Sequence, residues 1–457
     1  MSTYVVIGAG ISGLSAAYWL KTSGASTIVL ESTDRIGGTM ASEQHAGFLF
    51  EHGPNSFLNN QTTTWAMVEG CGAHHDVVSA STAAKKRLIH HRAQLTQVPT
   101  SPPAFLKSPL LSRNGLLEML AEPFRVQERP DGEETLAAFL DRRIGSEARQ
   151  TLVDALVGGI YAGDTTSLSA EATFPSLVEA EHQYGSIVVG MVAKMLQMQR
   201  AKHLSRDMCS FRDGMQQFPR YLADFLGKDS IYTHTKSVTL HKSSQNRYVV
   251  SAIIDGVHRE IDCKGVVIAT PAHRAAALLA PLGPTSATDA LMAIPYAPVQ
   301  LVGLGYANRY FAENPPSGFG FLVSRQSSLP ILGCLYSSSV FPNRAPENHT
   351  MLTVFLGGAR DPNTTALSDD ELVDRATAAV CETLHINGPG AARFIKRWER
   401  GIPQFTLGHR ARVNAIRQTQ QIHPRLQIVG NYLDGVSMHD CIAGAKAAAD
   451  RLTAEAP

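Results

Sequence analysis

The opening of the chain limits its fold more than any later stretch. Tyr4-Val-Val-Ile7 is a short apolar run, Gly8-Ala9-Gly10-Ile11-Ser12-Gly13 follows at once, and Leu14 to Leu20 has helical character. A second apolar run, Thr27-Ile-Val-Leu30, then ends on Glu31. Strand, glycine turn, helix, strand and carboxylate in this order make a βαβ unit. Gly8 permits the tight turn, Gly10 lets the backbone approach a pyrophosphate, and Gly13 allows the helix to pack closely, while the helix N-terminus favours an anion. Glu31 sits where a carboxylate accepts hydrogen bonds from a ribose hydroxyl pair and repels a 2′-phosphate. The unit predicts a dinucleotide site in an α/β fold.

The following residues favour one dinucleotide. Glu31-Ser32 leads into Arg35-Ile-Gly37-Gly38-Thr39, a cation and two positions without side chains, which suits a long cofactor lying extended across the chain and favours FAD over NAD. Far downstream, Gly430-Asn-Tyr-Leu-Asp-Gly435-Val436-Ser437-Met438 leads into an Ala-rich helix from about Asp440 to Leu452. Its positive end can face the N1 and C2 carbonyl region of a reduced flavin. The plainer reading of that segment is a terminal helix packed by small residues.

Composition narrows the partners. The 457 residues allow two or three domains at about 150 each, and 44% hydrophobic with 18% charged residues excludes a disordered or collagen-like chain. Lys+Arg 41 against Asp+Glu 40 leaves a formal charge of +1, without the basic excess of a nucleic-acid binder, so no nucleic-acid partner is expected. Cys71, Cys209, Cys263, Cys334, Cys381 and Cys441 lie far apart with no C-x-x-C pair, which fits a reducing, cytoplasmic setting. His74-His75 and His90-His91 lack metal-ligand spacing, so no metal is expected. The first strand begins too early for a cleaved leader, and Ile187 to Met198, broken by Lys194, is shorter than the ~20 residues of a spanning helix. The expectation is a soluble or peripheral protein.

Along the chain the pattern changes several times. FAD-binding parts are expected at 1–82, 206–275 and 413–457, a mostly helical insertion at 83–205 and a substrate domain at 276–412. The insertion is marked by Pro99, Pro102, Pro103 and Pro109 and by helical spacing at Leu136, Phe139, Leu140 and Ile144. Strand-like runs at Val238–Leu240, Tyr248–Ile254 and Val266–Ala269, with turns at 243–246 and Asp255-Gly256, return the chain to a sheet. Runs at Val299–Gly305, Phe319–Val323, Ile331–Tyr336 and Met351–Leu356 suggest a second, antiparallel sheet.

With these features the sequence resembles the FAD-dependent protoporphyrinogen oxidases, within the larger group that includes monoamine oxidases and phytoene desaturases. The resemblance spans nearly the whole length. It rests on the glycine motif, Glu31 and Arg35 to Gly38, and more specifically on Glu51-His-Gly-Pro-Asn-Ser-Phe57, Gly159-Ile-Tyr-Ala-Gly-Asp164, Leu332-Gly-Cys-Leu-Tyr-Ser-Ser338, Phe341-Pro-Asn-Arg344, Ile402-Pro-Gln-Phe-Thr-Leu-Gly-His409 and Gly430 to Val436. It implies a Rossmann-type, glutathione reductase-like FAD domain joined to an antiparallel-sheet substrate domain and a helical insertion. It further implies that Gly53, Pro54, Asn55, Ser56, Val238, Trp398, Val436, Ser437 and Met438 join the N-terminal motif in lining FAD.

The same resemblance implies substrate contacts. Arg87 would hold a substrate propionate, for which a guanidinium fork is suited; read alone, Lys85-Lys86-Arg87 is a solvated turn. Gly159, Leu322 and Tyr336 would flank a tetrapyrrole beside the flavin. Gly158, where some relatives carry arginine, implies a missing polar contact, and Leu88, where some have an aromatic residue, a wall without ring stacking.

The expected reaction is oxidation of protoporphyrinogen IX by successive hydride transfers to FAD with O2 as acceptor. No strong general base is demanded, and no catalytic acid or base is named. Coproporphyrinogen III is the alternative substrate, an amine oxidase or carotenoid desaturase a lesser one, and a redox-silent dinucleotide-binding protein the non-enzymatic alternative. A homodimer is left open. Ile187, Val188, Met191, Val192, Met195 and Leu196, flanked by Lys194, Arg200, Lys202 and Arg206, form either a core helix or a peripheral membrane face.

Overall fold

The computed structural model describes residues 3–125, 130–200, 207–243, 247–283 and 286–454. Positions 244–246 of one expected turn, and Lys202, Leu204 and Arg206, lie outside the described residues. Two sheets organise the molecule. Strands Thr3–Ile7, Ser26–Leu30, Ile231–Tyr232, Gly265–Ile268 and Leu426–Ile428 form a parallel sheet with the first strand at its centre. Side chains alternate along that strand: Val5 and Ile7 pack with Leu240, Val250 and Ile254, and Tyr4 and Val6 with Leu14, Leu20 and Ile442.

Each face is covered by different material. On one side lie the opening helix Ile11–Thr22 and the C-terminal helix Met438–Thr453, whose Ala16, Ala17, Ala445 and Ala449 share one core. On the other lies a three-stranded antiparallel sheet, Lys236–Lys242, Tyr248–Ile254 and Val257–Cys263, whose third strand carries alternating charge and was not expected.

The second sheet has seven strands, in the order Ala392–Pro403, Tyr296–Ala307, His349–Gly357, Gly333–Leu335, Gly320–Val323, Arg87–His91 and Gln94–Gln97. Neighbours are antiparallel except Gly320–Val323 and Arg87–His91, which run parallel. One face carries Val302, Leu304, Phe321, Val354 and Leu356 against helix Asp369–Leu384. The other carries Val299, Leu301, Phe355 and Trp398 against Phe48 and Phe50 of strand Phe48–Glu51. Gly303 and Gly305 let those two rings lie on the backbone, since a Cβ at either would meet a ring carbon at 2.7 or 2.6 Å.

Between Pro102 and Arg200 the described regular elements are helices joined by loops and turns, whereas the segment expected to begin at 83 carries two strands of the large sheet, Arg87–His91 and Gln94–Gln97. They pair with each other as a local hairpin, but what ties them to this sheet is the pairing of Arg87–His91 with Gly320–Val323, more than two hundred residues away, which no local pattern announces. Helix Asp154–Tyr161 continues a π-helical segment, Arg149–Val153, and lies over the front of this sheet, with Ala155 in one cluster with Ile89 and Leu322. Helix Ile187–Arg200 buries Ile187 but leaves Val188, Val189, Met191, Val192, Met195 and Leu196 exposed, so the core-helix reading does not hold. His74 and His75 occupy a 3-10 turn, not a strand, with rings 3.9 Å apart.

Candidate active site

The glycine turn is closed from both sides. The Gly8 N–H donates to Leu30 O at 2.8 Å, the Gly37 N–H to Ala9 O at 2.8 Å, and Gly10 and Gly37 form a bridge. Gly8 has φ +107°, and its Cβ would stand 2.8 Å from Ala269 O; a Cβ on Gly13 would collide with Gly8 O. Gly10 differs, because a Cβ there would meet nothing within 4 Å. The turn therefore packs tightly at both ends and opens over Gly10, the geometry a pyrophosphate requires.

Glu31 lies at the carboxyl end of its strand, almost fully buried. Its Oε2 accepts the Ala9 N–H at 2.9 Å, and its Oε1 accepts the Thr33 N–H and hydroxyl, each at 2.8 Å, with Ser32 Oγ at 3.4 Å. Arg35 has a buried Nη1 with no hydrogen-bond partner among the described residues, a donor free to meet a pyrophosphate oxygen. Thr39 backs onto Gly53, where a Cβ would strike Thr39 O, and Trp398 Nε1 donates to His52 O at 2.6 Å. Val238 is half-buried, three residues beyond Thr235, whose N–H donates to Glu31 O.

The C-terminal helix begins with the expected signal. Ser437 and Asp440 form a capping box, leaving the amides of Met438 and His439 without hydrogen-bond partners among the described residues. Val436 packs with Tyr161 and Phe405, which ties this loop to helix Asp154–Tyr161. Open space at Gly10, an unpartnered Arg35 and a ribose-type carboxylate are the donor and acceptor set of an extended flavin dinucleotide, and they fit FAD.

Next to the cradle stands an apolar wall. Strand pairing puts Arg87, Ile89, Leu322, Gly333, Leu335, Thr353 and Phe355 on the front face of the large sheet. The Arg87 guanidinium lies 5.5 Å over the Phe319 ring, and a small cavity between this face and the cradle is lined by Gly53, Asn55, Leu335 and Phe355. Gly159 presses on this wall: its Cβ would stand 2.5 Å from Leu322 Cδ2. Arg87, Gly159 and Leu322 are thus brought together.

Tyr336 is not. It is 1% exposed on the opposite face, in the core beneath helix Asp369–Leu384, with its ring 6.3 Å from Phe321. Parity along the strand decides this, and its neighbour Leu335 takes the front position. Leu88 also points to that rear core, so it is no wall of the site. Position 158 does have a polar neighbour, because Arg360 Nη2 lies 3.3 Å from where a Gly158 Cβ would stand. Sequence reasoning missed Leu335, Phe355 and Arg360; alternation from Leu322 through the strand pairs reveals the first two, and nothing local signals the third.

A parallel sheet with its glycine turn, Glu31 and Arg35 at the carboxyl edge, beside a separate sheet with an apolar face, defines an FAD-dependent oxidoreductase. The chain belongs to the family of flavin-containing amine oxidoreductases, which matches residues 11–453. Protoporphyrinogen oxidase 1 of Spinacia oleracea chloroplasts is 31% identical, across 96% of this chain and 82% of its own. Coproporphyrinogen III oxidase of Bacillus subtilis strain 168 is 27% identical, across 98% and 97%. Among solved structures, a protein assigned as a protoporphyrinogen oxidase from Exiguobacterium sp. 255-15 superposes with a TM-score of 0.82 at 23% identity, covering 98% of both chains. Cyclohexylamine oxidase from Brevibacterium oxydans superposes at 0.71 with 17% identity, covering 99% of this chain and 98% of its own.

Proposed function

We propose that this protein oxidises a propionate-bearing porphyrinogen, protoporphyrinogen IX or coproporphyrinogen III, to the corresponding porphyrin. The observation that carries this reading is the apolar front face of the large sheet beside the cradle, with Gly159 packed on Leu322 and a guanidinium at its rim. When bound, FAD supplies a two-electron hydride acceptor that O2 reoxidises to hydrogen peroxide, and three rounds account for the six electrons lost.

The residues of the chain bind and orient. Gly8 to Gly13, Glu31, Ser32 and Arg35 to Thr39 hold the adenosine and pyrophosphate. Gly53 to Ser56, Val238, Trp398, Gly430 and Val436 to Met438 line the rest. Arg87 takes a propionate, and Ile89, Leu322, Leu335 and Phe355 exclude water from one face of the macrocycle. A bridging carbon between two pyrroles needs no strong base, because the pyrrole N–H groups release the protons. The test is aerobic assay of the FAD-loaded protein with both porphyrinogens, followed by porphyrin fluorescence. Porphyrin formation no faster than autoxidation with either would refute the reading.

No described helix is long and apolar enough to cross a membrane. The exposed apolar side of helix Ile187–Arg200 adjoins the turn carrying Phe124, 85% exposed, and Leu117 and Leu120 are exposed on the helix before that turn. We infer that this surface rests on a lipid bilayer at the cytoplasmic face. Flotation with anionic vesicles at low salt tests it; protein that stays in the soluble fraction refutes attachment.

A further inference from the structure

Arg360 follows strand His349–Gly357 in a fixed turn. The Gly358 N–H donates to Pro298 O and the Ala359 N–H to Ala162 O, both at 2.7 Å. Its side chain is half-buried, and among the described residues none hydrogen-bonds or ion-pairs with the guanidinium. Nearby charges are already paired: Arg325 with Asp154 and Asp164, and Asp361 with Arg375. A half-buried guanidinium without an acid keeps its N–H donors available to an anion.

Its position gives that anion an identity. Nη2 lies against Gly158, with Leu332 Cδ2 3.9 Å from the same Cβ position. Gly159, the next residue, packs on Leu322, and Leu322 stands two residues along its strand from Gly320, the register partner of Arg87. A chain of contacts therefore links Arg87 through Gly320, Leu322, Gly159 and Gly158 to Arg360, with a guanidinium at each end and apolar or bare backbone between. Two strands separate Arg87–His91 from His349–Gly357, so those strands are roughly 14 Å apart at the usual spacing.

We propose that Arg360 is a second carboxylate-binding residue, at the far end of the site from Arg87, and that the substrate it serves carries carboxylates on opposite sides of its macrocycle. This rests on the porphyrinogen reading above. Coproporphyrinogen III has a propionate on each of its four pyrrole rings and reaches both ends. Protoporphyrinogen IX carries its two on adjacent rings and reaches one. Arg360 thereby selects the tetracarboxylate, through the bidentate geometry guanidinium offers a carboxylate.

The test compares wild type with Arg360→Gln, Arg360→Lys and Gly158→Ala, all FAD-loaded and matched for flavin content and unfolding midpoint. In Arg360→Gln the KM for coproporphyrinogen rises about tenfold with kcat little changed, because a contact remote from the reacting carbon is made alike in ground and transition states. The coproporphyrinogen-to-protoporphyrinogen ratio of kcat/KM falls roughly fivefold or more, and the Kd for oxidised coproporphyrin, measured without turnover, rises in step. Arg360→Lys recovers part of the ratio, and Gly158→Ala, which sets a methyl group against Nη2, lowers it. An unchanged ratio, or equal penalties on both substrates, overturns the assignment of Arg360 while leaving the porphyrinogen reading intact. A wild type that oxidises neither substrate overturns both.

Discussion

Replacing Glu31 tests the cofactor cradle at the atom pair on which it depends most. The carboxylate holds the Ala9 amide on one oxygen and the Thr33 amide and hydroxyl on the other, so it fixes the glycine turn as well as facing the ribose. In Glu31→Arg the acceptor becomes a donor, and the Ala9 and Thr33 amides are left without their partner. Hydrogen bonds to a charged group contribute about 1.5–3 kcal/mol each. Removing one such bond to the ribose pair weakens FAD binding by roughly 10- to 150-fold. The unpaired Ala9 amide adds to this by loosening the turn. Glu31→Gln keeps a carbonyl acceptor for one of these partners and is expected near the lower end. The assay is titration of apoprotein with FAD, followed by quenching of flavin fluorescence, with circular dichroism as the control for folding. A Kd for Glu31→Arg within threefold of wild type would show that the carboxylate does not face the ribose.

Further outcomes are expected elsewhere. Arg87→Ala raises the KM for porphyrinogen by about tenfold at unchanged flavin content; steady-state kinetics on the FAD-loaded protein checks this, and an unaltered KM returns Arg87 to the solvent. Glu51 is buried, and burial pushes its carboxyl up to about 7 against hydrogen bonds from Ser42 and Met215 and the nearby Arg344. A raised carboxyl binds its proton more tightly folded than unfolded. Its contribution to stability is therefore full below about pH 4.5 and declines by on the order of 3 kcal/mol as pH rises to about 7. Denaturation midpoints of wild type and Glu51→Gln should diverge over that window, and parallel curves would contradict it. Glu122 is fully buried and accepts hydrogen bonds from Arg143, Ser186 and the amides of Ile187 and Val188. Glu122→Ala takes from buried Arg143 its nearest carboxylate and leaves it Glu181 at 3.6 Å, a loss of about 3 kcal/mol in urea denaturation; a loss below about 1 kcal/mol would mean the pair is dispensable.

Local chemistry made part of this structure legible. The opening βαβ unit, the strand ending at Ile428 and the helix that follows each carry their signal within about twenty residues: apolar runs, glycines at fixed offsets, and a Ser437 cap. Strand Ala392–Pro403 was not legible, because it alternates two environments that each look polar in sequence. Phe394, Lys396 and Trp398 share the front face, and Arg393 and Arg397 reach Asp370 and Asp369 at the start of helix Asp369–Leu384. Strand Arg87–His91 depends on a partner far along the chain. Tyr336 shows how far a family resemblance reaches: the right strand was found, and a one-residue parity put the wrong side chain at the front. Arg360 reaches Gly158 only through the turn after a strand, which no spacing rule encodes.

The central parallel sheet draws its five strands from residues 3–7, 26–30, 231–232, 265–268 and 426–428, and Tyr4 Oη donates to Leu452 O at 3.0 Å across 448 positions of sequence. During synthesis at roughly 5–20 residues per second, the first strand precedes the last by about 20 to 80 s. Over that interval Ala16, Ala17 and Leu20 of the opening helix have no C-terminal helix to cover them, and the nascent N-terminal unit is an aggregation-exposed fragment. The amides of Met438 and His439 arrive only with helix Met438–Thr453, so the complete cradle forms no earlier than some four hundred residues after the first strand, and capture of FAD waits on that helix.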